Sequence, residues 1–230
     1  MRIAKYISNA GICSRRDAEK LILKGKVFIN DVLCDRPNIN VAIHDKIVVN
    51  KKTVVIENKI RLWQFYKPIK VICTNKDPKK RKTIFDFVPD NYPRLISIGR
   101  LDFMSEGLLL FTNNGNFARQ CELPSSNILR VYRVCINGRI KHNELTKINK
   151  GIEINQVKYN KIRVKLEKFN APFTWMIFKL NEGKNREIRN ICKFFNWRIV
   201  KLIRIQFGSF KLAKHKPGEI IEINNFSTKL

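Results

Sequence analysis

One aspartate in this sequence stands where a carboxylate could do chemistry. Asp102 ends a G-R-L-D segment that begins at Gly99, and the apolar run at residues 108–110 that follows is typical of a buried strand. A carboxylate on such a loop is held on a rigid base and can face a cleft, where it can act as a nucleophile or a general base. The residues by themselves leave a second interpretation open, that Asp102 only caps a turn.

Two consecutive arginines, Arg15 and Arg16, indicate a binding role for the start of a helix. Ser14 is a typical N-cap residue, and the apolar spacing after it predicts a helix that ends at Gly25. Cations in the first turn of a helix oppose its dipole and cost roughly a few tenths of a kcal/mol each. A phosphate across this helix end would meet backbone N–H groups and both guanidinium groups, so we expect a phosphate contact here. The alternative is a solvated basic face.

A third candidate is the segment at about 186–195, whose spacing predicts an amphipathic helix. Arg186, Arg189 and Lys193 fall on one face of this helix, so one side would pack while the other meets anions. A solvated basic face is the alternative here too, and the basic loop at residues 76–82 leaves a choice between a mobile loop and a phosphate clamp. The apolar stripe consists of Ile188, Ile191, Cys192 and Phe195.

The net charge indicates a polyanionic partner. Lys and Arg number 46 against 19 Asp and Glu, which gives a formal charge of +27 and a pI near 10.2. Such a charge destabilises the folded chain by self-repulsion unless anions neutralise it, so nucleic acid is the first candidate partner and an anionic membrane the second. The many Asn, Lys and Ile residues indicate an AT-rich genome, which raises the lysine count without a functional cause and weakens this inference.

Composition excludes several other classes of protein. Apolar residues make up 44% and charged residues 28%, the balance of a folded globular chain rather than a disordered one. No apolar run reaches the roughly eighteen residues of a membrane span, and no signal or transit segment is visible, so we expect no membrane association and a cytoplasmic location. The six cysteines form no C-x-x-C pair, so we expect reduced thiols and no zinc site.

The spacing of apolar residues predicts a small N-terminal unit, a linker and a larger domain. Residues 1–50 predict two short helices and a hairpin, and the polar residues 51–60 predict a linker. Residues 61–230 contain more strands than helices without regular βαβ alternation, which predicts an α+β fold with a mixed, largely antiparallel sheet. Strands are predicted at residues 62–66, 108–112, 131–136, 162–166 and 174–180.

The first 50 residues resemble an S4 RNA-binding domain. The resemblance lies in R-I-A-K-Y-I-S-N-A-G-I-C-S-R-R-D-A-E-K-L-I and in the G-K-V-F-I-N that follows. It implies an αα-hairpin unit that binds RNA, with Arg15 and Arg16 on the RNA backbone. This domain occurs in several protein families and does not by itself indicate an activity.

The larger domain resembles the pseudouridine synthases of the RsuA/RluB branch. The segment G-R-L-D-x-x-S-x-G-L-L-L-x-T-N-x-G is similar to the family's catalytic signature, and R-V-Y-R-V, E-G-K-N-R-E-I-R-N-I and L-I-R-I-Q-F-G follow it in the family's order. The resemblance implies that Asp102 is the essential aspartate, that Tyr132 packs on the target base and that Arg189 forms an ion pair that orients Asp102. Arg186 and Lys193 are then expected to contact phosphates.

The reaction that the resemblance implies is the isomerisation of uridine to pseudouridine in ribosomal RNA. It breaks the N1–C1′ bond, turns the base and rejoins it through C5, so it requires no metal or redox cofactor. The nucleotide must leave the helical stack, and Arg100 is expected to fill or brace the vacated position. Whether Asp102 attacks the sugar or acts as a base to give a glycal-like intermediate stays open. The E-G-K-N-R-E-I-R and L-I-R-I-Q-F-G segments are closer to the RluB members, which act on large-subunit RNA, than to the RsuA members.

The family pattern is not matched everywhere. Ser105 stands where threonine is usual and Asn114 where aspartate is common, and we expect neither residue to take part in the reaction. The expected partner is ribosomal RNA or a ribosomal assembly intermediate, and we expect a monomer because no self-complementary apolar stripe stands out. The alternative function is a non-catalytic S4-domain RNA-binding or ribosome-assembly factor, although such a protein would not need a charge-paired carboxylate in a basic cleft.

Overall fold

The structure of the chain is a computed structural model with two compact units. The first unit combines Met1–Arg61 with two short later segments, Pro89–Ile96 and Thr112–Phe117, and the second unit holds the rest of the chain. The domain limits expected from the sequence stay a prediction; Asn58 of the expected linker, and Ala213 and the last three residues of the expected larger domain, lie outside the described residues. The structure describes residues 1–42, 44–57, 59–212 and 214–227.

The first unit contains two helices and a four-stranded antiparallel sheet in the order β2-β1-β3-β4. Its last strand falls within residues 51–60, the segment that the sequence predicted as a linker, and pairs with β3. The elements are α1 (Ile3–Asn9), α2 (Arg15–Leu23), β1 (Val27–Ile29), β2 (Val32–Leu33), β3 (Ile47–Val49) and β4 (Lys52–Val54).

Local side-chain chemistry accounts for the elements of this unit. Ser14 caps α2: its Oγ accepts the Asp17 N–H at 3.1 Å and donates to the Asp17 carboxylate at 2.6 Å. Asn30 and Asp31 both have positive φ, the conformation of the tight turn that joins β1 to β2. The core of the unit is apolar, and its fully buried side chains include Ile3, Ile7, Ala18, Ile22, Val27 and Ile47.

The described residues after Arg61 form a nine-stranded sheet, a separate two-stranded ladder and three further helices. None of the described helices is long and apolar enough to cross a bilayer. In chain order the elements are β5 (Leu62–Lys67), β6 (Ile96–Ile98), β7 (Glu106–Thr112), α3 (Gly115–Glu122), β8 (Arg130–Asn137), α4 (His142–Lys150), β9 (Ile152–Ile154), β10 (Val157–Tyr159), β11 (Arg163–Asn170), β12 (Phe173–Leu180), α5 (Glu187–Phe194), β13 (Arg198–Phe207), β14 (Phe210–Lys211) and β15 (Ile220–Glu222).

The large sheet has the order β11-β12-β8-β13-β7-β5-β15, with β14 added to β13 and β6 added to β7. The ladders β11–β12, β12–β8, β13–β8 and β15–β5 are antiparallel, and β13 runs parallel to β7. The predicted α+β fold is therefore confirmed. The sequence did not predict β13, because register shifts after Ile199 and after Arg204 interrupt the alternation of apolar and polar residues that marks a strand.

Helices α4 and α5 contribute side chains to the main core, which lies on one face of β8, β12 and β13. The predicted apolar stripe of α5 is buried in that core, and Phe195 packs against its edge. This packing leaves the charged face of α5 toward the segment that carries Asp102, as described below. The buried side chains include Val134, Ile136, Met176, Phe178, Leu202, Ile188, Ile191 and Cys192.

Gly107 allows β7 and β13 to pair at the centre of the sheet. Its φ is +102°, and it is the register partner of Arg204 in the parallel ladder. A Cβ added at Gly107 would lie 2.4 Å from the Arg204 carbonyl oxygen and 2.9 Å from the Arg204 nitrogen. Both obstacles are backbone atoms, so a larger residue would have to push the two strands apart.

We therefore expect Gly107→Ala to lower the free energy of unfolding by about 3 kcal/mol or more, from backbone strain and steric overlap together. Urea denaturation would measure the loss. Gly138→Ala is the matched control: Gly138 also has positive φ, +108°, but no atom lies within 4 Å of an added Cβ. The control should lose about 1 kcal/mol from backbone strain alone. Equal losses in the two variants would contradict the steric account.

Candidate active site

Asp102 lies in the loop between β6 and β7, and hydrogen bonds hold that loop in place. The Ser105 N–H donates to the Asp102 carbonyl at 3.0 Å and closes a turn. On the other side of Asp102, the Leu101 N–H donates to the Cys73 sulfur at 3.4 Å, and the Cys73 thiol donates to the Leu101 carbonyl at 3.3 Å. Burial raises the pKa of Cys73, which keeps the proton that the second bond needs. The loop therefore presents the Asp102 carboxylate from a fixed backbone.

Arg189 of α5 holds the Asp102 carboxylate and the turn behind it. Its Nε donates to Asp102 Oδ2 at 3.0 Å. Its Nη2 donates to the Met104 carbonyl and to Ser105 Oγ, both at 2.8 Å. Ser105 is thus part of the site's support, because its buried hydroxyl accepts from the arginine that contacts Asp102; that it takes no part in the reaction stays a prediction.

Arg186 makes a second, longer contact with the same carboxylate oxygen. Its Nη1 lies 3.8 Å from Asp102 Oδ2, and its side chain is 54% exposed against 15% for Arg189. The residue precedes α5 with a φ of +51°, a conformation that non-glycine residues adopt rarely. Asp102 Oδ1 accepts no hydrogen bond from the described residues, and the side chain of Asp102 is 34% exposed. One carboxylate oxygen is thus fixed while the other is available.

A buried lysine supports the loop from below. Lys67, at the end of β5, is fully buried, and its Nζ donates to the Ser105 carbonyl at 2.8 Å and to the Pro68 carbonyl at 2.9 Å. Burial lowers the pKa of Lys67 to about 8, although the nearby acidic groups, including Asp102, oppose this shift. The ammonium is held by backbone carbonyls that also define the turn after Asp102.

Side chains from β8 and β13 form the floor of a cleft beside Asp102. Arg204 is the register partner of Tyr132, and Phe207 is the register partner of Arg130, so all four side chains lie on the same face of the sheet. The guanidinium carbons of Arg130 and Arg204 lie 5.3 and 5.2 Å from the centre of the Phe207 ring. These four residues and Asp102 line a cleft of about 370 Å³.

Most of the site residues expected from the sequence line this cleft. Lys193 does not: it is exposed, one turn beyond Arg189 on α5. Arg15 and Arg16 lie in the first unit, exposed on the first turn of α2, where the described residues offer them no hydrogen bond or ion pair. The expected residues that line the cleft are Arg100, Asp102, Tyr132, Arg186 and Arg189.

Glu187 brings a second carboxyl group to the cleft. It is the first residue of α5 and is 4% exposed, and its carboxylate accepts the Lys184 N–H at 3.2 Å. Burial raises the pKa of Glu187 to about 7, and the nearby Glu182 adds to the shift while Lys184 and Arg130 oppose it. This group therefore changes charge close to neutral pH.

A groove of about 610 Å³ extends from Asp102 toward the basic loop at residues 76–82. Within this loop the Arg81 guanidinium donates from Nε and Nη2 to the Asp77 carboxylate at 3.0 and 2.9 Å. These hydrogen bonds lower the pKa of Asp77 to about 2, so the loop is tied by an ion pair at neutral pH. No group of three or more His, Cys, Asp or Glu side chains that could hold a metal ion occurs among the residues described.

Sequence reasoning missed three charged residues of this site: Lys67, Glu187 and Arg204. Each of them is buried. A signal was present for Lys67, which ends an apolar strand directly before a proline, and for Arg204, which interrupts the apolar run L-I-R-I. A charged residue at a position predicted to be buried indicates a partner or a function, and neither position was examined in that way.

Comparisons with known proteins identify the family of the chain. The model of the RNA pseudouridylate synthase family matches residues 61–194, and that of the S4 domain matches residues 1–47. An uncharacterized RNA pseudouridine synthase of Rickettsia felis is 51% identical over 225 residues, which is 97% of each chain. The ribosomal large subunit pseudouridine synthase B of Buchnera aphidicola subsp. Schizaphis graminum is 34% identical over 99% of this chain and 92% of its own.

A solved structure supports the fold. The crystal structure of a pseudouridylate synthase aligns with a TM-score of 0.68 over 97% of this chain and 96% of its own, at 21% sequence identity. The family match covers more than half of the chain, and the sequence relatives cover nearly all of it. The chain therefore belongs to the RNA pseudouridylate synthase family and carries an S4 domain at its N-terminus.

Proposed function

We propose that this protein converts uridine to pseudouridine in ribosomal RNA of the large subunit, with Asp102 as the essential carboxylate. The single observation that carries the proposal is the Asp102 carboxylate with one oxygen bound by Arg189 and the other free in a cleft beside Tyr132. The choice of the large subunit rests on the relative from Buchnera aphidicola, whose name specifies that substrate.

Asp102 acts at the sugar of the target nucleotide. The reaction breaks the N1–C1′ bond, the released base turns within the site, and C5 forms the new bond to C1′ while the C5 proton moves to N1. No atom is gained or lost. A carboxylate near C1′ and C2′ can attack C1′ or remove the C2′ proton, and both routes use the free oxygen Oδ1. Arg189 leaves that oxygen free by binding Oδ2, and so orients the carboxylate.

The target base enters the cleft by leaving the RNA stack. A flipped base needs an aromatic or apolar surface, and Tyr132 on the cleft floor provides one. Arg100 is exposed at the edge of the same cleft, where it can fill or brace the vacated position in the RNA. Arg186 directly precedes α5 and Lys193 lies in its last turn; both are exposed cations, and they contact flanking phosphates.

The S4 unit contributes affinity for RNA. Arg15 and Arg16 at the start of α2 are exposed and free to bind phosphate oxygens, together with the N–H groups of the first helical turn. The formal charge of +27 attracts RNA over longer distances. A binding protein without catalysis is the competing function. A carboxylate in a basic cleft disfavours it, because a negative charge there would only weaken the binding of phosphates.

The first test is pseudouridine mapping with carbodiimide on ribosomal RNA treated with wild-type protein, Asp102→Asn and Asp90→Asn. Asp90 is an exposed aspartate, so its variant is a control for the loss of one negative charge. We expect wild type and Asp90→Asn to mark the same uridine and Asp102→Asn to be slower by at least about 1,000-fold. Tight RNA binding by wild type without any marked uridine, in naked RNA or in assembly particles, would favour the non-catalytic factor.

The unequal contacts of the two arginines predict unequal kinetic effects. Arg189→Gln removes three charge-assisted hydrogen bonds from a nearly buried site, so we expect kcat to fall by about 100-fold or more. Arg186→Gln removes a longer contact from an exposed side chain, and we expect about 10-fold or less. Single-turnover rates would separate the two. A larger loss for Arg186→Gln would reverse the assigned roles.

The raised pKa of Glu187 predicts a pH-dependent stability. Between pH 4.5, its ordinary pKa, and about 7 the folded protein keeps a proton that the unfolded chain releases, so stability falls as the pH rises through this range. Glu187→Gln is neutral throughout. We expect the variant to match wild type near pH 5 and to be more stable by about 2 kcal/mol at pH 8, measured by urea denaturation. A difference that does not change with pH would contradict this.

A further inference from the structure

Arg204 carries a buried charged donor that the protein leaves without a partner. The side chain is 2% exposed and lines the cleft that contains Asp102. Its Nε donates to the Leu108 carbonyl at 2.7 Å, which fixes the guanidinium plane. Its Nη2 is buried and has no hydrogen bond to any of the described residues. A buried donor that lacks an acceptor is costly, so its retention in a cleft indicates that a ligand supplies the acceptor.

The depth of Arg204 indicates which part of an RNA it would meet. It sits on the cleft floor, opposite Tyr132 in the β13–β8 ladder and on the same face of the sheet. The other guanidinium on the floor, that of Arg130, already donates to the Ile128 and Asn181 carbonyls. Arg100 and Arg186 are exposed at the edge of the cleft, where phosphates would lie. A donor on the floor beside Tyr132 is therefore placed for the base.

We infer that Arg204 is a specificity-determining residue that donates through Nη2 to a carbonyl oxygen of the target uracil ring. This inference rests on the proposed function and names the group that recognises its base. Uracil offers carbonyl acceptors at C2 and C4. Cytosine keeps the carbonyl at C2 but has an amino group at C4, which would place a donor against the guanidinium, so the contact selects uracil over cytosine when it is made at C4.

The contact also suits a base that turns during the reaction. Exchanging N1 for C5 at the sugar is a half-turn of the ring about the line through N3 and C6. That half-turn interchanges the two carbonyl groups, so O4 arrives where O2 had been, and the reverse. A single fixed donor therefore meets a carbonyl oxygen before and after the turn. Arg204 can hold the ring in both orientations from one position, fixed by the bond from Nε to the Leu108 carbonyl, once the entering base has displaced the side chains that cover Nη2.

A double-mutant cycle between protein and base tests the contact. The substrates are synthetic RNA hairpins that carry uridine, 2-thiouridine or 4-thiouridine at the position identified by mapping. The proteins are wild type, Arg204→Met and, as a matched control, Arg198→Met, which removes an exposed arginine from the same strand. Sulfur accepts hydrogen bonds weakly, and its effect on the ring's own reactivity is the same for every protein, so that effect cancels in the cycle.

For wild type and Arg198→Met we expect each thio substitution to lower kcat/KM by about 10-fold beyond its effect with Arg204→Met. With uridine, Arg204→Met should itself be about 10- to 100-fold slower than wild type. If the role of Arg204 is purely structural, Arg204→Met has a lower melting temperature than wild type, and each thio substitution lowers kcat/KM by the same factor in all three proteins. That result would overturn the inference. Coupling to only one of the two thio substitutions would overturn the two-orientation contact.

Arg204→Lys covers the case in which Arg204→Met does not fold. Lysine keeps the positive charge but lacks the planar pair of donors, so it cannot reproduce both the Leu108 bond and the base contact. We expect Arg204→Lys to fold, and we expect each thio substitution to lower its kcat/KM less than it lowers that of wild type. An equal loss of kcat/KM in this variant and in wild type would overturn the inference. A wild-type protein that modifies no uridine would overturn the proposed function and this inference together. If wild type is active but loses the same factor of kcat/KM on thio substitution as Arg204→Met does, the inference alone is overturned.

Discussion

The ion pair between Asp102 and Arg189 joins segments that lie 87 residues apart in the chain. The donors of a guanidinium stand at fixed angles in one plane, so the position of α5 determines the direction of the carboxylate. The same arginine binds the carbonyl of Met104 and the hydroxyl of Ser105, and thereby fixes the turn as well as the acid. The packing of α5 on the sheet is thus a condition for the whole site.

Charged groups act in two different ways in this protein. The exposed lysines and arginines produce a net charge of +27, which attracts polyanions over long distances and is screened by salt. Lys67, Glu187 and Arg204 are buried, and each is hydrogen-bonded to a backbone group. Buried ionisable groups are costly, but these hydrogen bonds fix the directions of the side chains in the structure. The exposed and the buried charged groups therefore differ in how strongly salt screens them.

Local patterns in the sequence predicted much of the fold. The Ser14 cap, the turn at Asn30 and Asp31 and the apolar stripe of α5 were each visible as short-range spacing, and the structure contains all three. Strand β13 was not predicted, because two register shifts disturb its alternation and two cations, Lys201 and Arg204, interrupt its apolar residues. Its place between β8 and β7 depends on pairing with distant strands and on Gly107, which permits the close approach. The spacing of apolar residues along the chain does not indicate which distant strands pair.

The sequence by itself determined the family, the S4 unit, the α+β class and five of the residues that line the cleft, because motifs and periodicity are properties of neighbouring residues. The tertiary structure alone decided which charges are buried and what they bind. Ser105 is a partner of Arg189, Lys193 lies outside the cleft, and Arg204 has a buried donor without a hydrogen-bond partner among the described residues. Burial and the pairing of charges depend on groups brought together from distant parts of the chain, and the order of residues does not specify those distances.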